Sequence, residues 1–182
     1  MLTYTYDGLG RVVTTTFPDS STSQAAYHGL VTTTTNASNQ TRTVTKDSQG
    51  QTVSVTDAAG KTTSFAYDPF GKQIKATDPA GNVVTATYDV RGRKIASNDP
   101  DLGAWTYAYD TASELVSQTD AKSQTSTLTY DKIGRLTQRV EPDMTSAWVY
   151  DTAAHGIGKV ASASITAGPS AGYQRSFAYD TL

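Results

Sequence analysis

The chain contains no cysteine in its 182 residues, so neither a disulfide nor a thiolate metal site is available to it. Large apolar residues are also scarce, with 8 Leu and 4 Phe. No apolar run approaches the roughly 18 residues that a membrane-spanning helix needs. Glutamate, a good helix former, supplies only 2 of the 17 acidic residues, and the other 15 are Asp. These shortages disfavour helical bundles and membrane insertion.

Clustered positive charge is missing as well. The 15 basic residues are spread along the chain and the formal net charge is −2. A nucleic-acid partner would require a basic patch, so we expect none. The start, Met1-Leu2-Thr3-Tyr4, lacks the apolar stretch of a secretory signal. The chain is therefore expected to be either cytosolic or a piece of a longer polypeptide.

The abundant residues are those of strands and turns. There are 31 Thr and 11 Tyr, which pack well on a pleated surface, and 14 Gly. Asp and Gly are typical turn residues. The composition therefore indicates many short strands joined by tight turns.

The dipeptide Tyr-Asp marks an internal repeat. From Tyr67 to Tyr130 it recurs every 21 residues, and the next step, to Tyr150, is 20 residues. Degenerate copies at Tyr27-His28 and Lys46-Asp47 keep the same phase. A repeat of this length is one supersecondary unit that cannot bury a face alone, so neighbouring units are expected to stack.

Each unit contains a second turn signal about ten residues after the first. It reads Asp57-Ala58-Ala59-Gly60, Asp78-Pro79-Ala80-Gly81 and Asp99-Pro100-Asp101-Leu102-Gly103. In such turns Asp accepts backbone N–H bonds, Pro presets φ, and Gly takes the position where φ is positive. Each unit is therefore predicted to be a β-hairpin.

Between the turns, less polar residues alternate with polar ones. Val84, Ala86 and Tyr88 share one face of a predicted strand, and Trp105, Tyr107 and Tyr109 share one face of another. The pattern predicts an all-β fold of tandem antiparallel hairpins. Paired side by side, they would form a curved or spiralling extended sheet, because sheets twist.

Two segments are the best examples of the motif, Tyr88-Asp89-Val90-Arg91-Gly92-Arg93 and Tyr130-Asp131-Lys132-Ile133-Gly134-Arg135. The motif and its period resemble those of the YD-repeat or RHS-repeat family. That family includes Rhs polymorphic toxins, wall-associated proteins, the B and C subunits of insecticidal toxin complexes, and teneurins. The resemblance covers about residues 4–151 and again 177–180.

The resemblance implies a role for the chain. Family members form a shell-like β-sheet that encloses a C-terminal toxin, so the implied partners are the remainder of a larger RHS protein and its toxin cargo. The parent protein is expected to be secreted or exposed at the bacterial cell surface. No segment like the family's self-cleaving plug follows the repeats, so we expect a structural fragment or short member, without autoproteolysis.

The repeated residues are predicted to maintain the fold rather than to perform chemistry, because a residue present in every unit serves every unit. No catalytic residue, metal ligand or cofactor is predicted. The structural motif comprises Tyr6, Asp7, Gly10, Arg11, Tyr67, Asp68, Gly71, Tyr88, Asp89, Gly92, Arg93, Tyr109, Asp110, Tyr130, Asp131, Gly134, Arg135, Tyr150 and Asp151.

Signals for enzymes and metals are weak. His28 and His155 are the only histidines, His28 stands where a degenerate repeat has its Asp, and no nucleophile elbow is present. Asp99 to Gly103 resembles part of a calcium loop but lacks the distal Glu. Non-enzymatic function is therefore the expectation, with an autoproteolytic or hydrolytic enzyme as the weakest alternative.

A carbohydrate-binding or cell-surface-binding module is the main alternative. Trp105, Trp148 and Tyr173 are the candidate rings for stacking on sugars. We also expect self-association, because the open edge strands of a repeat array expose unpaired N–H and C=O groups.

The whole chain, residues 1–182, is predicted to be one repeat array. Clear repeats cover residues 4–151, an irregular loop residues 153–172, and a partial repeat residues 173–182. The step from Tyr150 to Tyr179 is 29 residues, which indicates an insertion. The Thr-rich segment Val31 to Thr45 is open to two interpretations, a polar strand pair or a partly disordered loop.

Overall fold

A computed structural model describes residues 1–181; Leu182, the last residue of the predicted array, lies outside the described residues. Over that range it contains seventeen strands and no helix. The predicted all-β fold of antiparallel hairpins is therefore confirmed. Within the same range no helix is long and apolar enough to cross a membrane.

The chain divides into two compact units, one comprising Met1–Ala86 and the other beginning at Thr87. The N-terminal unit pairs each strand with the next along the chain, always antiparallel. Its strands are β1 (Thr3–Tyr6), β2 (Val12–Thr16), β3 (Thr22–His28), β4 (Val31–Thr35), β5 (Thr41–Lys46), β6 (Thr52–Thr56), β7 (Thr62–Tyr67), β8 (Gln73–Thr77) and β9 (Val83–Tyr88), the last of which runs across the boundary.

The C-terminal unit follows the same rule, with antiparallel pairing between consecutive strands. Chain neighbours are thus also sheet neighbours, the arrangement that short turns impose. Its strands are β10 (Lys94–Asp99), β11 (Gly103–Tyr109), β12 (Leu115–Thr119), β13 (Thr125–Tyr130), β14 (Leu136–Val140), β15 (Thr145–Tyr150), β16 (Val160–Ala167) and β17 (Gln174–Ser176).

A β-bulge accompanies most Tyr-Asp turns. In the first hairpin Thr5 pairs with Thr14 while Tyr6 pairs with Val12, so one residue of β2 is left over. Equivalent shifts occur just before Tyr67, Tyr109 and Tyr130. A bulge re-aims the side chain beside it, and here that side chain is the repeat tyrosine.

The two faces of the sheet differ in chemistry. On β11, Trp105, Tyr107 and Tyr109 are half-buried, and they define the aromatic face. On β13, the alternate residues Thr125, Thr127 and Thr129 are exposed and lie on the opposite, hydroxyl face. Thr hydroxyls bond across the strands on that hydroxyl face, as between Thr119 and Thr125 at 2.9 Å in the C-terminal unit and between Thr56 and Thr62 at 2.8 Å in the N-terminal unit.

The sheet is stabilised with almost no buried core. Ala161, 7% exposed, is the one buried apolar residue found among the described residues. The accessible surface is 12000 Å², whereas a compact globular protein of this mass would expose about 8,500 Å². Backbone ladders and cross-strand side-chain pairs must therefore supply most of the stability.

The Thr-rich segment Val31 to Thr45 is a strand pair, β4 with β5, so the first of the two interpretations is correct. The turn before it is unusual for this chain. His28 pairs directly with Val31, which leaves a two-residue loop with Gly29 at φ 61° in its first position. This is a favoured hairpin geometry, and it replaces the longer Asp-based turn in the degenerate unit.

The segment expected to be an irregular loop, residues 153–172, differs from that description. It contains the whole of β16, an eight-residue strand that pairs with β15. The extra residues lie on either side of it, in a loop before Val160 and another after Ala167. The small residues within β16 hid the strand, because Ala and Ser carry little alternating signal.

Candidate functional site: the repeat clamp

The Tyr-Asp turn is built around the aspartate. The Oδ1 atom of Asp7 accepts hydrogen bonds from the backbone N–H groups of Leu9 and Arg11, both at 2.9 Å. The N–H of Gly10 donates to the carbonyl of Asp7, and Gly10 has a φ of 76° that a side chain would strain. The same two carboxylate bonds recur at Asp47, Asp68, Asp89 and Asp131.

The repeat tyrosine connects its own unit to the preceding one. Its hydroxyl donates to the backbone carbonyl of the residue that opens the second strand of that preceding unit. Such bonds join Tyr27 to Val12 (3.0 Å), Tyr67 to Thr52 (2.8 Å), Tyr109 to Lys94 (2.9 Å), Tyr130 to Leu115 (3.0 Å), Tyr150 to Leu136 (2.9 Å) and Tyr179 to Val160 (2.7 Å).

A basic side chain from the preceding unit covers the face of the tyrosine ring. A cation over an aromatic face is attracted by the ring quadrupole. Distances from the charged atom or guanidinium carbon to the ring centroid show this cover for Tyr27 by Arg11 (4.2 Å), Tyr109 by Arg93 (4.7 Å), Tyr150 by Arg135 (4.3 Å) and Tyr179 by Lys159 (4.4 Å).

The same arginines are held in place by the turn aspartates of their own units. Arg11 pairs with Asp7 at 2.6 Å, Arg93 with Asp89 at 2.7 Å, and Arg135 with Asp131 at 2.7 Å. We call this set of turn aspartate, following arginine or lysine, and tyrosine of the next unit the repeat clamp. It links consecutive units by side chains, in addition to the backbone ladder.

The surroundings of the clamp aspartates lower the pKa values of their carboxyl groups. The pKa of Asp131 is lowered, first by the backbone hydrogen bond from Arg135 and then by the Arg135 side chain, against an opposing contribution from desolvation. The pKa of Asp89 is lowered by the equivalent bonds from Arg93. Each carboxylate is thus kept ionised and available to its arginine.

Sequence comparison identifies these units. A family model described as RHS Repeat matches residues 47–83 and 109–143, which contain the Asp47, Asp68, Asp110 and Asp131 turns. Over these two stretches the chain is similar to the RHS-repeat family. A comparison with curated proteins finds no significant match.

Solved structures share the fold seen here. A Tc holotoxin pore of Photorhabdus luminescens matches with a TM-score of 0.75 at 15% identity, over 89% of this chain and 10% of that chain. A TcdB2–TccC3–TEV structure gives a TM-score of 0.76 at 15% identity, over 89% and 10%. A TcdB2–TccC3–Cdc42 structure gives 0.72 at 17% identity, over 82% and 9%. The present chain therefore spans about a tenth of those chains, and the likeness shows its fold.

The cation is absent from the units of Gln51 and Glu114. Gln51 and Glu114 stand where other units have arginine, yet Tyr67 and Tyr130 still make their hydroxyl bonds. Around Glu114 the charge is reversed: its pKa is raised, first by desolvation and then by the nearby Asp110 carboxylate. The pKa of Tyr130 is also raised, first by desolvation and then by Glu114. We therefore expect this clamp to be weaker than the one that Arg93 forms with Tyr109.

At the end of the regular repeats, Arg135 holds two carboxylates. Besides Asp131, it donates to both oxygens of Asp151, at 3.0 and 2.6 Å. The Arg135 hydrogen bond, followed by that of the Gly158 N–H, lowers the pKa of Asp151 to about 2. Asp151 thereby fixes both ends of the loop that precedes β16.

The sequence motif contains tyrosine, aspartate and arginine, but it does not indicate which residue each of them contacts. The structure brings Asp and Arg of one unit together with the Tyr of the next. The signal that was available is the position of the arginine, just before the strand that pairs with the next tyrosine's strand.

The three rings proposed to stack on sugars lie apart. Trp105 is in β11 and Trp148 in β15, both half-buried, while Tyr173 lies before β17 and is 62% exposed. Trp105 packs in a stacked arrangement beside Tyr107, with centroids 6.4 Å apart. Of the two histidines, His28 is exposed at the end of β3, and His155 is exposed in the loop before β16 with a φ of 54°.

Proposed function

We propose that this chain is a segment of the wall of an RHS shell, and that the parent protein uses this wall to enclose a polypeptide cargo of toxin type. The observation that carries the proposal is the repeat clamp. Each clamp ties one hairpin to the next through an aspartate, a cation and a tyrosine ring, so the array extends by repetition without a buried core.

The fold likeness supports the same role. The printed titles of the matching structures concern a Tc holotoxin pore and complexes of TcdB2 with TccC3. A wall made of one sheet has one face toward the enclosed space and the other toward the outside. This sheet has two faces of different chemistry, a hydroxyl face and an aromatic face. A secreted or cell-surface location of the parent protein follows from the same proposal.

The repeats are proposed to have no catalytic role of their own. The clamp residues are committed to one another: Asp89 to Arg93, and Arg93 to Tyr109. Intact-mass spectrometry after prolonged incubation of the purified chain tests this view. A single unchanged mass is expected, and a discrete cleavage product would contradict it.

Protease protection in the full polypeptide tests the wall proposal. The polypeptide encoded by the reading frame that contains these repeats is purified and digested, and a segment outside the repeats is expected to survive while the wall is intact. Substituting Arg93→Gln, which weakens one clamp, should speed loss of that segment. The matched control is Lys132→Gln, an exposed turn residue, which should leave the digestion unchanged.

Two results would count against the wall proposal. One is a reading frame that carries no segment outside the repeats. The other is a flanking segment digested at the same rate with and without the intact repeats.

A further inference from the structure

A recess opens beside the repeat tyrosine Tyr67 in the N-terminal unit. Its volume is about 550 Å³, within the roughly 300–1,000 Å³ typical of small-molecule sites. Its apolar lining comes from Val53, Phe65 and Tyr67, and its carboxylates come from Asp47 and Asp68. The recess thus combines an aromatic ring with negative charge, and it has room for one side chain of another molecule.

Other clamps of the chain show what such a ring and carboxylate accept. At Tyr109 the guanidinium of Arg93 lies 4.7 Å from the ring centroid, and its Nε atom donates to the Oδ2 atom of Asp89 at 2.7 Å. The same pair of contacts recurs in the clamps of Arg11 and Arg135. The tyrosine ring and the aspartate of the preceding unit are therefore the two halves of one guanidinium site.

The unit that precedes Tyr67 supplies the aspartate but no cation. Gln51 stands at the arginine position, and the cation–ring contacts found among the described residues do not include Tyr67. The Oδ1 atom of Asp47 accepts the N–H groups of Gln49 and Gln51, both at 2.9 Å. Within residues 1–181 its Oδ2 atom, the one that binds arginine in the other clamps, makes no hydrogen bond to a side chain.

The ring and the carboxylate are both accessible from the recess. Tyr67 and Asp47 are half-buried and line it together. The side chain of Gln51 extends toward the following turn, where its Nε2 atom lies 2.9 Å from the position that a Cβ on Gly71 would take. Lys46, which precedes Asp47 in the chain, does not line the recess. A cation from outside the chain can therefore contact ring and carboxylate at once.

Charge and shape favour a guanidinium over other groups. No lysine, arginine or histidine is among the described residues that line the recess, so an anion would meet uncompensated carboxylates. A planar guanidinium stacks on an aromatic face and presents N–H donors in a fixed fork that suits a carboxylate. An ammonium is a compact and more strongly hydrated charge, which loses more on leaving water.

We propose that the recess beside Tyr67 binds the guanidinium group of an arginine side chain from another polypeptide. The guanidinium lies over the ring of Tyr67 and donates to the Oδ2 atom of Asp47. The other polypeptide thereby completes the clamp in place of the arginine that this unit lacks. The site does not depend on the proposed wall function, so either can fail alone.

Nuclear magnetic resonance titration of the isotope-labelled chain tests the site. The probe is N-acetyl-arginine methylamide, and the matched comparator is N-acetyl-citrulline methylamide, a neutral molecule of nearly the same shape. The arginine probe should shift the backbone signals of Gln51 and Tyr67 saturably, with a Kd on the order of 10 mM or tighter. The citrulline comparator should bind at least about tenfold more weakly, because it lacks the charge that the ring and the carboxylate attract.

Asp47→Asn removes the carboxylate charge and should weaken binding of the arginine probe at least about fivefold. The turn should survive, because the Oδ1 atom of Asn36 already accepts the equivalent N–H bonds from Ser38 and Gln40. Asp57→Asn is the matched control. It makes the same change in a turn that does not line the recess, and it should bind as the parent does.

Gln51→Arg supplies the missing cation from within the chain. Its guanidinium should cover Tyr67 as Arg93 covers Tyr109, so the arginine probe should no longer bind while the Tm rises. The rise in Tm distinguishes a filled site from an unfolded one. If this variant does not fold, Asp47→Asn still tests the carboxylate half of the site.

Four results would overturn the proposal. The first is no saturable shift at Gln51 and Tyr67 up to about 100 mM of the arginine probe, a concentration at which even a very weak site would respond. The second is equal binding of the citrulline comparator. The third is an unchanged Kd in folded Asp47→Asn, and the fourth is an unchanged Kd in folded Gln51→Arg.

Discussion

Two consecutive clamps in the C-terminal unit have the same backbone arrangement but differ in the charge of one side chain. At the first, Arg93 covers the ring of Tyr109, pairs with Asp89, and donates to the carbonyl of Asp110 at 3.0 Å. At the second, Glu114 occupies the arginine position, yet Tyr130 still bonds the carbonyl of Leu115 at 3.0 Å.

The difference separates two contributions. The hydroxyl bond of the tyrosine needs only the hairpin register and the bulge that aims the ring, so it persists in both clamps. The cationic cover needs a specific side chain and is lost when that side chain changes. The array thus tolerates a missing cation in single units, because each unit is also held by its ladder to both neighbours.

Removing the ring should have the largest effect. Tyr109→Ala deletes a half-buried ring, its bond to the Lys94 carbonyl and its contact with Arg93, and should lower the free energy of unfolding by about 2–4 kcal/mol. Tyr130→Ala should cost less, because no cation covers that ring. Urea unfolding measures both, and an equal or larger loss in Tyr130→Ala would remove the distinction between the clamps.

Removing the cation should have an intermediate effect. Arg93→Gln turns the first clamp into the type that Gln51 forms in the N-terminal unit, and should cost about 1–2 kcal/mol through the lost cation–ring contact and charge-assisted bonds. Lys132→Gln, at an exposed position of another Tyr-Asp turn, is the control and should stay within about 0.5 kcal/mol of the parent. Comparable losses in the two variants would show that the stacked position has no special role.

Restoring the cation at the second clamp should stabilise it. Glu114→Arg places a guanidinium next to Asp110 and Tyr130, and we expect the Tm to rise by roughly 2–4 °C. Glu114→Gln is the control that removes the like charge without adding a cation, and its rise should be smaller. A lower Tm in Glu114→Arg would mean that this turn cannot accommodate the clamp.

The pH dependence of the same control sharpens the comparison. Because the folded pKa of Glu114 is raised, its protonated form favours the fold, and that stability is complete below the ordinary value of 4.5 and lost as pH rises through the folded pKa. The advantage of Glu114→Gln over the parent should therefore appear above pH 4.5 and vanish below it. An advantage independent of pH would exclude a charge effect.

The smallest effect is expected on the hydroxyl face. Thr119 and Thr125 share a hydrogen bond at 2.9 Å, but both side chains can reach water on that face. Thr119→Val should change the free energy of unfolding by at most about 0.5 kcal/mol, because a branched side chain is kept and the lost bond is exposed. A loss of unfolding free energy as large as that of Arg93→Gln would show that the hydroxyl face stabilises the fold as much as the clamps do.

The sequence by itself determined the hairpins, their order and the position of nearly every turn. Asp7, Gly10 and their repeats specify the turns because the hydrogen bonds they make span four residues or fewer. Such a turn can therefore be predicted from a short sequence motif. The alternation of aromatic and small or polar residues along β11 likewise predicts the aromatic face without knowledge of the neighbouring strands.

Only the tertiary structure decided which units the clamp residues join and where a recess opens. Arg93 meets the ring of Tyr109 because bulge and register align two different hairpins. Asp47, Gln51 and Tyr67 line one recess because the pairing of β6 with β7 brings two units together. Such contacts depend on the pairing register of several successive strands, and no local sequence motif specifies all of those registers together.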